Sequence, residues 1–149
     1  MASVFNDILN ACQTTLQAVT FTGLSPDNIR IRMLPKVGET LDVVPCILIA
    51  PGDVERKSVQ GFENKVNKVY PVEVAIVAAV NRDFSTKLPI LLEWRQQSDR
   101  ALAGPLLTGA PTVWDTRMDY KVLFDRSLLA KQYGYLSFTV RFTSCENRT

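Results

Sequence analysis

The chain has 149 residues, 46% hydrophobic and 21% charged, with 17 basic residues against 15 acidic for a net charge of +2. This is the composition of one globular domain able to bury roughly 70% of its unfolded surface, and it excludes a disordered or membrane-embedded chain. Histidine is absent, which excludes serine–histidine and cysteine–histidine pairs, histidine metal ligands and any side chain with an ordinary pKa near neutrality.

Three cysteines, Cys12, Cys46 and Cys145, are far apart and odd in number. They exclude a fully paired disulfide framework within one chain and fit a reducing compartment. The opening Met-Ala-Ser-Val-Phe-Asn-Asp has neither the basic nor the apolar region of a signal peptide, which points to assembly in the cytosol. No run of five like charges occurs, so neither a nucleic-acid tail nor a polybasic membrane anchor is expected.

Val4, Phe5, Ile8, Leu9, Cys12, Leu16 and Val19 recur at three- and four-residue steps. They predict an amphipathic helix from residue 3 to about 20, with Ser3 as N-cap. A turn at 23–28 follows. Ile29, Ile31 and Met33 then alternate with Arg30 and Arg32, a short strand with one wet face. After a polar stretch, Val43–Ala50 reads as a buried strand with Pro45 near its start.

Residues 51–68 open with Pro-Gly-Asp, are rich in charge and hold Gly61 near the middle. Two readings stand: a solvated β-hairpin turning at Gln60–Gly61, or an arm reaching a neighbouring subunit. The longest apolar run follows, Val69–Asn81. Read with period two, Tyr70, Val72, Val74, Ile76, Ala78 and Val80 share one face. Pro71, Glu73, Ala75, Val77 and Ala79 share the other, apolar beyond Glu73. A strand apolar on both faces is a central strand covered on both sides.

Ser85 or Thr86 is placed to cap a second helix with Pro89 in its first turn, stopped by Gly104-Pro105. Leu91, Trp94, Ser98, Ala101 and Leu102 line its apolar side. Val113 to about Phe124 reads as extended, with Trp114, Met118 and Tyr120 on one face. Ser127–Tyr133 suggests a single helical turn closed by Gly134. In the last strand Leu136, Phe138, Val140 and Phe142 oppose Ser137, Thr139, Arg141 and Thr143. The tail from Cys145 is expected to fray. The predicted class is α+β: a mainly antiparallel sheet of four to five strands packed by two helices, with a protruding charged hairpin or arm. The second apolar face of the central strand needs a cover, by the hairpin or by another subunit.

Candidate chemistry is sparse. Asp115, Asp119 and Asp125 form the densest carboxylate cluster, but Asp115 and Asp119 on a strand stand about 13 Å apart at ~3.3 Å per residue, too far to share a cation. They read as a solvated edge. Cys12 and Cys46 read as core residues. Arg30 and Arg32 read as a wet sheet face, and Trp94 and Trp114 as packing. The glycines form neither a P-loop nor a dinucleotide fingerprint, and basic residues do not interleave with aromatics as in an RNA-binding sheet. No catalytic residue, metal or cofactor is expected.

The order of elements and several local phrases resemble the tail-terminator (tail-completion) proteins of long-tailed bacteriophages, the group related to the minor tail protein U. The phrases are the basic-apolar strand Ile29–Met33, Pro45-Cys-Ile-Leu-Ile-Ala-Pro-Gly52, Tyr70-Pro-Val-Glu-Val74 and the Asn81-Arg-Asp83 turn. Two more are the Trp94-to-Arg100 helix segment and Gln132-Tyr-Gly-Tyr-Leu-Ser-Phe-Thr-Val-Arg-Phe142. The resemblance runs over nearly the whole chain, as pattern, without an invariant signature.

It implies a structural virion protein: a six-fold ring on the last tail-tube ring that ends tube polymerisation and meets the head-side neck proteins, with DNA passing through its lumen. Implied partners are further copies of itself, the tail tube protein and the neck or connector protein; no membrane is involved. The arm from Asp53 to Lys68 suits contact with neighbour and tube, through Arg56, Lys57, Phe62, Lys65 and Lys68. Val77 is a further interface candidate. The competing readings are a head–tail connector, a tail tube subunit or, from another class, a small cytosolic enzyme subunit working without histidine. A nucleic-acid-binding module is weaker still, given the charge balance.

Overall fold

The computed structural model describes residues 3–32, 45–52, 55–58, 65–79, 84–103, 110, 112–119 and 133–147. Helix α1 spans Val4–Gln17, and the Ser3 hydroxyl caps it by accepting from the Asn6 backbone N–H at 3.4 Å. A 3₁₀ turn, Pro26–Asn28, leads into β1, Ile29–Ile31. Then come β2 (Cys46–Pro51), β3 (Glu55–Ser58), β4 (Lys65–Ala79), α2 (Phe84–Leu102), β5 (Val113–Asp119) and β6 (Tyr133–Asn147). The strands form one sheet in the order β1-β2-β4-β6-β5, with β3 also pairing β4. Only β1 and β2 run parallel; the remaining described pairs are antiparallel. The class is α+β, as its pattern of elements predicts.

Strands β4 and β6, 15 residues each, pair along their whole length, from Lys65↔Asn147 to Ala79↔Tyr133. At ~3.3 Å per residue this ladder is about 50 Å long. It corrects three sequence-based expectations. Lys65 to Lys68 belong to the sheet and not to an arm. Cys145 to Asn147 do not fray, because their backbone groups are paired with Lys65 to Asn67. Tyr133 and Gly134 start β6 and do not end a helical turn; the rest of that expected turn, from Ser127, lies outside the described residues.

β2 and β3 follow one another along the other edge of β4. Pairing runs to Pro51↔Val72 and is found again at Glu55↔Val69, with the register shifted by one residue. Pro51 and Gly52, which read as a loop opening, stand at the start of this shift. Gly52 donates its N–H to the Pro71 carbonyl at 2.9 Å. A Cβ on Gly52 would lie 3.0 Å from Pro71 Cγ. Gly52→Ala is therefore expected to cost about 1–2 kcal/mol by overpacking, read as a melting temperature lower by a few degrees.

The first face of the sheet carries the core. Tyr70, Val72, Val74, Ile76 and Ala78 of β4 meet Ile47 and Ile49 of β2 and Leu136, Phe138, Val140 and Phe142 of β6. Both helices close over it: α1 through Ile8, Leu9, Cys12 and Leu16, and α2 through Leu91, Trp94 and Leu102. The Trp94 indole N–H donates to the Thr22 carbonyl at 3.1 Å, tying α2 to the segment after α1. Pro89 lies in the second turn of α2, one turn later than expected, because the helix already begins at Phe84.

On the second face Cys46, Leu48, Ala75 and Val77 are each at most 1% exposed. One chain thus buries the apolar part of this face around Ala75 and Val77 without a neighbour, which removes the uncovered-face argument for oligomerisation.

Cys12 sits wholly inside the core, and burial pushes its thiol from the ordinary 9.0 up to about 12. Above pH 9 the unfolded chain releases this proton while the folded chain keeps it, so stability falls as pH rises from 9 toward 12, by up to about 1.4 kcal/mol per pH unit. Cys12→Ala is expected to flatten the alkaline fall of the urea midpoint between pH 9 and 11. The Tyr70 hydroxyl is shifted upward as well, by burial and by Glu146, and adds a loss of the same sign at higher pH.

Candidate assembly surface

Beyond the helices the sheet continues as a ribbon in which β3, β4, β6 and β5 lie side by side. Most of the interface candidates fall here. Arg56 and Lys57 stand in β3, in register with Lys68 and Asn67 of β4. Lys65 is half-buried at the far end of β4. Lys68 is on the first face, where its ammonium lies 3.8 Å from Glu146 Oε1. The other oxygen of Glu146 accepts from the Tyr70 hydroxyl at 2.6 Å, and the Tyr70 ring meets Phe5 of α1 edge-on at 5.0 Å. Lys68 is thus part of a polar clasp joining β4 to β6. Phe62 and the turn at Gln60–Gly61 lie outside the described residues. Val77 is wholly buried, a core residue of this subunit with no surface to offer a neighbour.

The carboxylates of β5 each face an arginine. Asp115 takes the Arg117 Nε at 3.2 Å and Asp119 takes Arg141 Nη2 at 3.4 Å. Asp125 lies outside the described residues. Arg30 donates to the Asp27 carbonyl at 3.1 Å and Arg32 to the Ile31 carbonyl at 2.9 Å.

Trp114 is where sequence reasoning fails. Period two places it beside Met118. Register instead shifts between Val113 and Asp115, a bulge at which Trp114 is the extra residue. Val113 and Met118 pack on the first-face core, while Trp114 turns to the second face with Asp115. There its indole N–H donates to Asn67 Oδ1 at 3.3 Å. It edges a shallow hollow of about 390 Å³ with Asn67, Val69, Asp115, Arg117 and Arg141. At 56% exposure it is the most exposed large apolar side chain among the described residues. The one hint in sequence is an aromatic beside a charge after Pro111-Thr-Val, too weak to reveal a bulge.

The surface suits protein contact. Lys68, Asp115 and Asp119 each face an opposite charge, the Trp114 indole is held by a hydrogen bond, and among the described residues no group of three or more potential ligands is placed to hold a metal ion. No described helix is long and apolar enough to cross a membrane.

No protein-family model and no curated protein matches this sequence. In fold the chain is similar to a chain of a solved structure described as "Virion of native gene transfer agent (GTA) particle". The likeness covers 98% of this chain and 100% of that one, with a TM-score of 0.59 at 11% identity. At that identity the likeness is one of fold alone.

Proposed function

We propose that this chain is a structural protein of a phage-type virion, acting as a tail terminator. In this role it forms a ring that caps the tail tube, ends tube polymerisation and joins the tail to the head-side neck. The observation that carries the reading is the end-to-end likeness in fold to a chain of a virion. The element-by-element resemblance to tail terminators supports the finer role. The ladder of β4 and β6 gives such a ring a stiff wedge. The near-neutral charge of +2 suits a lumen through which DNA slides, because a strongly basic wall would hold the phosphates. The role calls for binding surfaces and no cofactor, and its site of action is the virion, after assembly in host cytoplasm.

The test is light scattering over a concentration series with negative-stain images, alone and with tail tubes. Closed rings of about six subunits, or a single layer added to tube ends, are expected. Long tubes formed by this chain alone would make it a tube subunit. A monomer that ignores tail tubes would overturn the reading.

A further inference from the structure

Among the described residues the exposed large apolar side chains are Trp114 at 56%, Ile90 at 39% and Leu92 at 38%. Trp114 and Leu92 each edge a shallow hollow, and the sheet separates the two. The Trp114 hollow is on the second face. The Leu92 hollow, about 600 Å³, is on α2, which covers the first face; Pro89, Glu93, Arg95, Gln96 and Asp99 complete it. Ile90 lies on the other flank of the helix, because two residues turn an α-helix by about 200°.

The two rims differ in charge. The rim around Trp114 offers Arg117, since Arg141 is paired with Asp119, and the rim around Leu92 offers the exposed Glu93. Arg117 is 80% exposed and its bond to Asp115 is a surface ion pair, of the kind that exchanges partners at little cost. The Trp114 ring is held in place by Asn67, so docking it forfeits little side-chain freedom. Tryptophan and arginine are both enriched among the few residues that carry most of the energy of a protein interface.

We propose that Trp114 of one copy docks into the Leu92 hollow of the next, with Arg117 facing Glu93 across the joint. Knob and hollow lie on opposite layers of the same chain. The contact is therefore heterologous, and repeated copies run head to tail and close into a ring where the rotation permits. This deepens the ring reading and rests on it.

The experiment measures association of the whole chain by sedimentation, alone and on tail tubes, with melting temperature as the check on folding. Trp114→Ala and Leu92→Asp are each expected to weaken self-association at least about thirtyfold without a matching loss of melting temperature. Mixed one to one, the two variants are expected to form dimers and nothing larger, since each supplies the half the other lacks. Arg117→Glu is expected to weaken association, and Arg117→Glu combined with Glu93→Arg to restore it. Rings that persist in both single variants, or a mixture that stays monomeric while wild type assembles, would overturn this joint and leave the ring reading standing. A wild type that assembles neither alone nor on tubes would sink both.

Discussion

Val77→Asp is expected to abolish the fold. The side chain at 77 has no exposed surface, and its described neighbours on the second face, Cys46, Leu48 and Ala75, are equally dry. A carboxylate there leaves water without gaining a cation from these neighbours, so it stays protonated or drags the strand open. The expected loss exceeds about 4–5 kcal/mol, against a total stability of about 5–15 kcal/mol for a domain. Its pKa in any residual folded state is raised, so the unfolded chain loses its proton first. The variant is then least unstable below about pH 4 and worsens as pH rises. Val77→Ala keeps the site dry and is expected to cost only about 2 kcal/mol. Circular dichroism melts of the pair decide the matter: equal melting temperatures for Val77→Asp and wild type would mean that water reaches this face.

Phe138→Ala carries the second large effect. Phe138 lies at the centre of the first face, 0% exposed, paired with Val74 and roofed by the Arg95 guanidinium 5.8 Å from its ring centre. Removing the ring loses its burial, leaves a cavity between sheet and α2, and deprives Arg95 of its aromatic partner. The expected cost is about 3–5 kcal/mol, a fall in melting temperature of roughly 10 °C or more for a chain of this size. The urea midpoint is expected to fall at an unchanged m-value, since the surface exposed on unfolding is nearly the same. A loss below about 1 kcal/mol would mean that α2 does not close over β6.

The parts of this protein legible in its sequence are those set by local periodicity. The apolar stripe of α1 and its Ser3 cap, both faces of β4 and the alternation of Leu136 to Phe142 reappear in the structure where the pattern puts them, because helix and strand repeat every 3.6 and 2 residues whatever they pack against. The errors fall where pairing overrides local composition. Lys65 to Lys68 and Cys145 to Glu146 look like loop and tail, yet each segment supplies the other's hydrogen-bond ladder and the Glu146 clasp fastens them. The charge on Lys68 suggests an outward contact, and only the fold shows that Glu146, remote in sequence, lies 3.8 Å from its ammonium.

The candidate surface was least legible of all. Trp114 faces away from Met118 because one extra residue in β5 inverts the alternation there, and no local signal marks which residue a register shift will extrude. What the sequence by itself determined is the class of fold, the order of its elements, the core face of the sheet and the absence of histidine chemistry, since all of these follow from residue type and spacing along the chain. Only the tertiary structure decided the length of the β4–β6 ladder, the burial of Val77 within a single chain and the side on which Trp114 emerges. Each of those depends on which backbone meets which, and that is a property of contacts between residues far apart in the chain.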